Sequence, residues 1–113
     1  MSEFNLTLWK RLQEERLLQQ ERERMKTQSQ TISLLRAYFS RKRVREVYLT
    51  GSLLREGKFL PSSDVDVAVL GLQEDYFKTL AELEHLLDRS VDLIELEGCL
   101  FRDDIVKRGL RIW

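Results

Sequence analysis

Two aspartates, Asp64 and Asp66, stand two positions apart in a stretch otherwise rich in valine. The alternation over Asp64–Leu70 predicts a β-strand, in which successive side chains point to opposite faces. Both carboxylates therefore project from one face, with their Cα atoms roughly 6 to 7 Å apart. Paired carboxylates at this spacing suit a hard divalent cation such as Mg²⁺, which prefers oxygen ligands. The pair predicts chemistry on phosphate groups, where two such ions can clamp a phosphoryl displacement.

Two further features could complete such a site. Asp92 lies at the start of the next predicted strand, about Val91 to Leu96, and can approach the pair if the two strands are neighbours. Gly51-Ser52 ends the first predicted strand, Val44 to Thr50. Glycine lets a triphosphate approach the backbone closely, and the serine hydroxyl can donate a hydrogen bond to it.

Each candidate also has a plainer interpretation. The aspartate pair could be solvated polar alternation on a half-exposed strand, but the Gly-Ser upstream favours a site. Asp92 could be a surface carboxylate at a strand start, and Ser52 could cap a helix, which is compatible with phosphate binding. Arg55 and Lys58 could neutralise phosphate charge, although ordinary loop charges are the commoner interpretation.

Helical patterns flank these strands. Apolar spacing predicts an amphipathic helix over Gln73 to Asp88 and a last helix over about Leu100 to Arg108, closing at Gly109. The remaining Leu110 to Trp113 is a largely apolar tail.

A long helix is predicted at the start of the chain, over residues 4 to 26, with Phe4, Leu8 and Leu12 at four-residue spacing. Its apolar stripe then thins, so the helix must be solvated, held by charge pairs or covered by another chain. The run from Lys26 to Thr31 contains poorer helix formers. Two alternatives stay open: a break there with a second helix through about Phe39, or one bent helix.

The 113 residues include 19 basic and 19 acidic side chains, but the two signs are unevenly distributed. Residues 1–46 carry 11 basic and 6 acidic side chains, which leaves 8 and 13 for residues 47–113. The two halves are therefore expected to have different functions. No apolar run reaches the roughly 18 residues that span a bilayer, and none resembles a signal peptide, so we expect a cytoplasmic location and no membrane contact.

Few residues are available for other chemistries. Cys99 is the only cysteine and His85 the only histidine, which excludes an internal disulfide and a cysteine-rich zinc site and makes histidine-based catalysis a poor explanation. We expect a core role for Cys99 and a surface role for His85. The basic cluster Arg41–Arg45 could bind RNA, although basic residues are also common where a helix ends.

The stretch from Gly51 to Val69, with Asp64-Val65-Asp66 within it, resembles the signature of the polymerase-β-like nucleotidyltransferase superfamily. It is most similar to minimal nucleotidyltransferases (MNT), the antitoxins paired with HEPN toxins. The resemblance covers about residues 30 to 110, including the strand at Val91–Ile94 and the ending Ile105–Gly109. One departure is visible: eleven residues separate Ser52 from Asp64, where the family usually has ten.

The resemblance implies an α/β (α+β) fold, a small mixed β-sheet flanked by helices, here with a long N-terminal helical extension. It implies transfer of a nucleoside monophosphate from ATP to a hydroxyl group. Asp64, Asp66 and Asp92 would be the catalytic metal ligands for two Mg²⁺ ions. Gly51 and Ser52 would hold the triphosphate, with Arg55 and Lys58 as weaker nucleotide-binding candidates.

The resemblance also implies a partner. Relatives that modify other acceptors generally carry a further recognition domain, so we expect the acceptor on another polypeptide: a tyrosine of a cognate HEPN ribonuclease toxin, silenced by AMP. Residues 1–28 are then a partner or dimer arm, and residues 29–113 the nucleotidyltransferase domain. A non-catalytic antitoxin that blocks the toxin by binding, and a nucleotidyltransferase acting on RNA, are the alternatives.

Overall fold

A computed structural model describes the backbone of residues 3–113, with side chains from Asn5 onward. In the described part of the chain, one long initial helix is followed by four strands and two shorter α-helices. They are α1 (Glu3–Phe39), β1 (Glu46–Thr50), β2 (Val65–Leu70), α2 (Tyr76–Leu87), β3 (Val91–Glu95), α3 (Arg102–Arg108) and β4 (Leu110–Arg111). Short 3₁₀ turns follow β1 and β3, at Gly51–Leu54 and Leu96–Gly98.

The four strands form one mixed sheet in the order β3-β2-β1-β4. β1 is antiparallel to β2 and β4, whereas β2 and β3 are parallel. This confirms the predicted small mixed sheet flanked by helices. The segment expected to be only an apolar tail adds the edge strand β4, in which Leu110 pairs with Leu49. Two paired residues are too short to produce an alternating pattern, so the sequence does not reveal this strand.

Both faces of the sheet are covered, which explains why β2 is almost continuously buried. On one face, β2 valines pack with the end of α1 and with α2, and the largest fully buried side chain there is Phe39. The smaller cluster on the other face joins Ala68 and Leu70 to Leu96, with Ile105 of α3 packed against it. The aspartates therefore stand at one end of a buried strand.

The long helix α1 is continuous through Lys26–Thr31, so the break that was left open does not form. Tertiary contacts outweigh the weak propensity of this run, because Thr31 is buried and Gln28 donates a hydrogen bond to the carbonyl of Leu53. The domain boundary proposed after residue 28 lies within this helix and stays a prediction. Residues 1 and 2 and the side chain of Phe4 lie outside the described part.

The N-terminal half of α1 stands away from the sheet. Large apolar side chains there are about half exposed, among them Trp9 at 55%, Leu12 at 52% and Leu17 at 59%. The principal extents of 62 × 27 × 19 Å reflect this projecting segment. Below, "the arm" means residues 5–19, a shorter range than the partner or dimer arm predicted over residues 1–28. Within residues 3–113, no helix has both the length and the apolar character needed to cross a membrane.

Candidate active site

The structure brings the three predicted aspartates to the same end of the sheet. Asp66 is the second residue of β2, and it lies directly opposite Asp92 in the register of the parallel strand β3. Asp64 is adjacent in the chain to the first residue of β2. Asp64 and Asp92 are exposed, whereas Asp66 is partly buried. The strand adjacency on which the role of Asp92 depended is therefore present.

The surroundings of Asp66 disfavour the charged form of its carboxyl group. Burial, together with the neighbouring negative charges of Asp92 and Asp64, raises the pKa of its carboxyl group from 3.8 to about 6. A cation placed beside these carboxylates would offset that repulsion.

The Gly51-Ser52 turn lies against the same carboxylate. Thr50 at the end of β1 is the register partner of Asp66, so the chain turns immediately beside it. Gly51 has a φ of +81°, and a Cβ atom there would overlap the Asp66 carboxylate. Only glycine satisfies both constraints. The turn continues as the 3₁₀ segment Gly51–Leu54, in which the Ser52 carbonyl accepts a hydrogen bond from the Arg55 backbone N–H at 3.0 Å.

A pocket of about 340 Å³ opens beside this turn. Its lining includes Gly51, the predicted Arg55 and an unpredicted cation, Arg108 of α3. Arg108 is exposed and forms an ion pair with Asp104 at 3.0 Å. Lys58 does not line this pocket and lies on an exposed turn. No local signal could have identified Arg108, because it lies 57 positions after Gly51 in the chain.

A second unpredicted arginine connects the segment before Asp64 to the strand of Asp92. The Arg89 guanidinium donates hydrogen bonds to the carbonyls of Pro61 at 3.0 Å and Ser63 at 3.1 Å, and it lies 4.7 Å from the centre of the Phe59 ring. Arg89 therefore ties together the two segments that carry these exposed aspartates.

The remaining candidates lie away from the aspartates. His85 is exposed on α2, and the free thiol of Cys99 is half-buried. The basic cluster Arg41–Arg45 is partly used within the fold, since Arg43 pairs with Glu74 at 3.1 Å. Lys42 lies 5.1 Å from the centre of the Tyr38 ring. Packing at the end of α1 thus accounts for much of this cluster.

The donor set suits magnesium. Among the side chains of residues 5–113, no group of three or more His, Cys, Asp or Glu is arranged to hold a metal ion by itself. Mg²⁺ does not require such a group, because it usually takes one or two carboxylates and completes its shell with water and substrate phosphates. Two neighbouring aspartates beside a glycine turn satisfy that requirement, and Asp64, Asp66 and Asp92 are the residues that would supply the oxygens.

Comparison with known proteins gives matches to solved structures but none to curated proteins. A toxin–antitoxin complex with AMP-PNP is 28% identical, with a TM-score of 0.56 over 75% of this chain and 71% of that one. A mutant MntA-HpeT toxin–antitoxin complex, with two aspartates two positions apart changed to glutamate, is 27% identical, with a TM-score of 0.55 over 73% and 68%. A third, with a tyrosine-to-alanine change, is 28% identical, with a TM-score of 0.50 over 76% and 70%.

The family described as "Polymerase beta, Nucleotidyltransferase" matches residues 30–113, which include every strand and every site residue discussed above. The mixed sheet, the glycine turn and the aspartate cluster agree with that match. The chain therefore belongs to the polymerase-β-like nucleotidyltransferase superfamily, as a minimal nucleotidyltransferase.

Proposed function

We propose that this protein is an antitoxin that transfers AMP from ATP to a tyrosine hydroxyl of a cognate HEPN ribonuclease toxin and thereby neutralises it. The observation that carries the proposal is the contact between the Gly51 turn and Asp66, which would place a bound triphosphate beside the carboxylate cluster. Toxin–antitoxin complexes among the solved relatives, one of them with AMP-PNP, support the class of partner and nucleotide. Since ATP is the substrate, we place the reaction in the cytoplasm.

The reaction replaces a phosphoanhydride bond of ATP with a phosphoester bond to the tyrosine. The phenolic oxygen attacks the α-phosphorus of ATP, a new P–O bond forms, and the bond from that phosphorus to the bridging oxygen breaks. Pyrophosphate leaves with the electron pair, and the phenolic proton passes to a base or to water.

Different residues of the site would take different parts in this reaction. Gly51 and Ser52 would receive the triphosphate at the 3₁₀ turn, and Arg55 and Arg108 can neutralise phosphate charge from the adjoining pocket. Asp92 is exposed, so an incoming hydroxyl can reach it.

Magnesium, bound by Asp64, Asp66 and Asp92, would supply charge neutralisation and a lowered hydroxyl pKa. The openness of this end of the sheet, where Asp64 and Asp92 are both exposed, suits an acceptor carried by a large molecule.

The test is transfer of label from ATP labelled at the α-phosphate to the purified toxin in the presence of Mg²⁺. The variants Asp64→Asn and Asp66→Asn should reduce labelling at least about 100-fold, because each removes a charged metal ligand. Asp88→Asn is the matched control, since Asp88 is exposed at the end of α2 and asparagine tolerates its left-handed conformation. A wild-type protein that transfers no label to the toxin would refute the proposal.

One observation favours a second function, inhibition by binding alone. The exposed apolar side chains of the arm, including Trp9 and Leu12, offer a contact surface that catalysis does not need. In that case Asp64→Asn and Asp66→Asn would still protect cells from the toxin. Deletion of residues 1–18 would abolish protection, although it leaves the part of α1 that touches the sheet domain.

A further inference from the structure

Side chains of α1 bond to the segment that contains the Gly51–Leu54 turn. Gln20 donates a hydrogen bond from Nε2 to the carbonyl of Phe59 at 3.0 Å, and Gln28 donates one to the carbonyl of Leu53 at 3.3 Å. Both acceptors belong to the segment between β1 and Asp64. The helix thus contacts backbone atoms of this segment. These contacts therefore do not depend on which side chains the loop carries.

The central contact is an ion pair. Arg24 is only 8% exposed, and its guanidinium donates to the Leu53 carbonyl at 3.2 Å while it pairs with Glu21 at 2.9 Å. Glu21 in turn accepts a hydrogen bond from the Gly57 backbone N–H at 2.7 Å. One pair of side chains therefore holds the segment at two points four residues apart.

This arrangement is more specific than packing requires. A nearly buried arginine is costly unless its donors are satisfied, so an apolar residue would fill the same space with less penalty. The planar fork of Arg24 bonds a carbonyl and a carboxylate at once, which a lysine cannot reproduce. Hydrogen bonds from Arg24 and from Gly57 hold the pKa of Glu21 below its usual value, so Glu21 stays charged at neutral pH.

We infer that Glu21 and Arg24 are positioning residues of the nucleotide site, which fix the Gly51–Leu54 turn against the carboxylate cluster. The inference deepens the proposed function and rests on it. Leu53 belongs to the turn that begins at Gly51, so a shift of its carbonyl moves the backbone that would receive the triphosphate. The helix α1 is therefore part of the nucleotide site as well as the support of the arm.

The test is equilibrium binding of AMP-PNP with Mg²⁺ to the full-length protein and its variants. Arg24→Ala should weaken binding about tenfold, because a displaced turn would lose roughly one hydrogen bond to the charged triphosphate. Arg24→Lys should not restore it. Arg22→Ala is the matched control, because Arg22 is exposed on the same helix and should leave affinity unchanged.

Glu21 provides the conservative rescue. Glu21→Ala should weaken binding severalfold, whereas Glu21→Gln keeps an acceptor for the Gly57 N–H but loses the ion pair with Arg24, so its affinity should fall between those of Glu21→Ala and wild type. Loss of thermal stability without loss of affinity in the folded variants would indicate a purely structural role and overturn the inference. If Arg24→Ala does not fold, the comparison of Glu21→Ala with Glu21→Gln decides.

The outcomes also separate the two proposals. Wild-type protein that binds no AMP-PNP with Mg²⁺ would overturn the proposed function and the inference together. Wild-type binding with Arg24→Ala equal to Arg22→Ala would overturn the inference alone. Normal AMP-PNP binding without transfer of label to the toxin would refute the proposed reaction and leave the positioning role standing.

Discussion

Asp66 and Asp92 lie directly opposite each other on neighbouring parallel strands. Burial of Asp66 makes its charge costly, and repulsion by the facing carboxylate of Asp92 adds to that cost. A fold selected for stability alone would place a neutral residue at one of the two positions. The repulsion is therefore best explained as stability given up for function.

The first prediction concerns this repulsion. In magnesium-free buffer at pH 7, Asp66→Asn should raise the free energy of unfolding by about 1 kcal/mol, a value reduced for solvent screening. The pKa of Asp66 is raised on folding, from 3.8 to about 6. Ionisation of Asp66 therefore lowers the free energy of unfolding, and this loss builds up between these two pH values and is fully present above pH 6. The gain should appear between about pH 4 and pH 6 and vanish below pH 4. Denaturant unfolding across pH measures it.

Asp88→Asn serves as the control for a generic loss of negative charge. Equal stability of wild type and Asp66→Asn at pH 7, or a gain that persists at pH 3, would contradict this account of the cluster.

The second prediction concerns the glycine turn. Gly51→Ala must adopt a positive φ and also place a methyl group in the Asp66 carboxylate. Gly57→Ala meets the first penalty alone, because φ there is +74° and a Cβ would have open space. We expect Gly57→Ala to cost about 1 kcal/mol and Gly51→Ala roughly 2 kcal/mol more. Chemical unfolding of the two variants compares these costs directly, and equal destabilisation would show that the turn can move away from Asp66.

The third prediction concerns Arg108, the cation that the sequence does not indicate. Arg108→Ala should raise the KM for ATP about tenfold with little change in kcat, because a charge on the bound phosphates acts in the ground state and the transition state alike. Lys107→Ala is the control, since Lys107 is exposed on the same helix and does not line the pocket. Initial rates at low and high salt provide the measurement, and an unchanged KM would remove Arg108 from the site.

The fourth prediction concerns Arg89. Arg89→Ala should lower the free energy of unfolding by about 2 kcal/mol and increase proteolysis between Phe59 and Ser63, because three carbonyls lose their donor. Arg41→Ala should do neither, because Arg41 is an exposed arginine in the turn that follows α1. Limited proteolysis under native conditions distinguishes the two, and equal cleavage rates would contradict the role assigned to Arg89.

The sequence predicts the parts of this fold that local patterns encode. Alternating valines place β2 within one residue, and the spacing of apolar residues indicates α2, which begins three residues later than expected because Asp75 caps it by accepting a hydrogen bond from the Lys78 N–H. These two features depend on residues close together in the chain. The position of Asp92 opposite Asp66, 26 residues away, is implied by the family resemblance and not by a local pattern.

Features that depend on distant residues are not predictable in this way. Arg24 and Leu53 lie 29 positions apart, and nothing in either neighbourhood signals their hydrogen bond. The same holds for β4, whose two paired residues are recognised only once β1 is in place. Long-range contacts likewise decide the continuity of α1, which helix propensity alone leaves open.

The arm also sets a minimum size for whatever contacts it and the catalytic end together. Gln20 is the first residue of α1 that bonds to the loop before Asp64. At a rise of 1.5 Å per residue, Asn5 stands roughly 22 Å farther along the helix axis. A free nucleoside cannot bridge that distance, whereas a folded domain can. Loss of the arm should therefore weaken recognition of an intact protein acceptor while leaving a small hydroxyl acceptor unaffected.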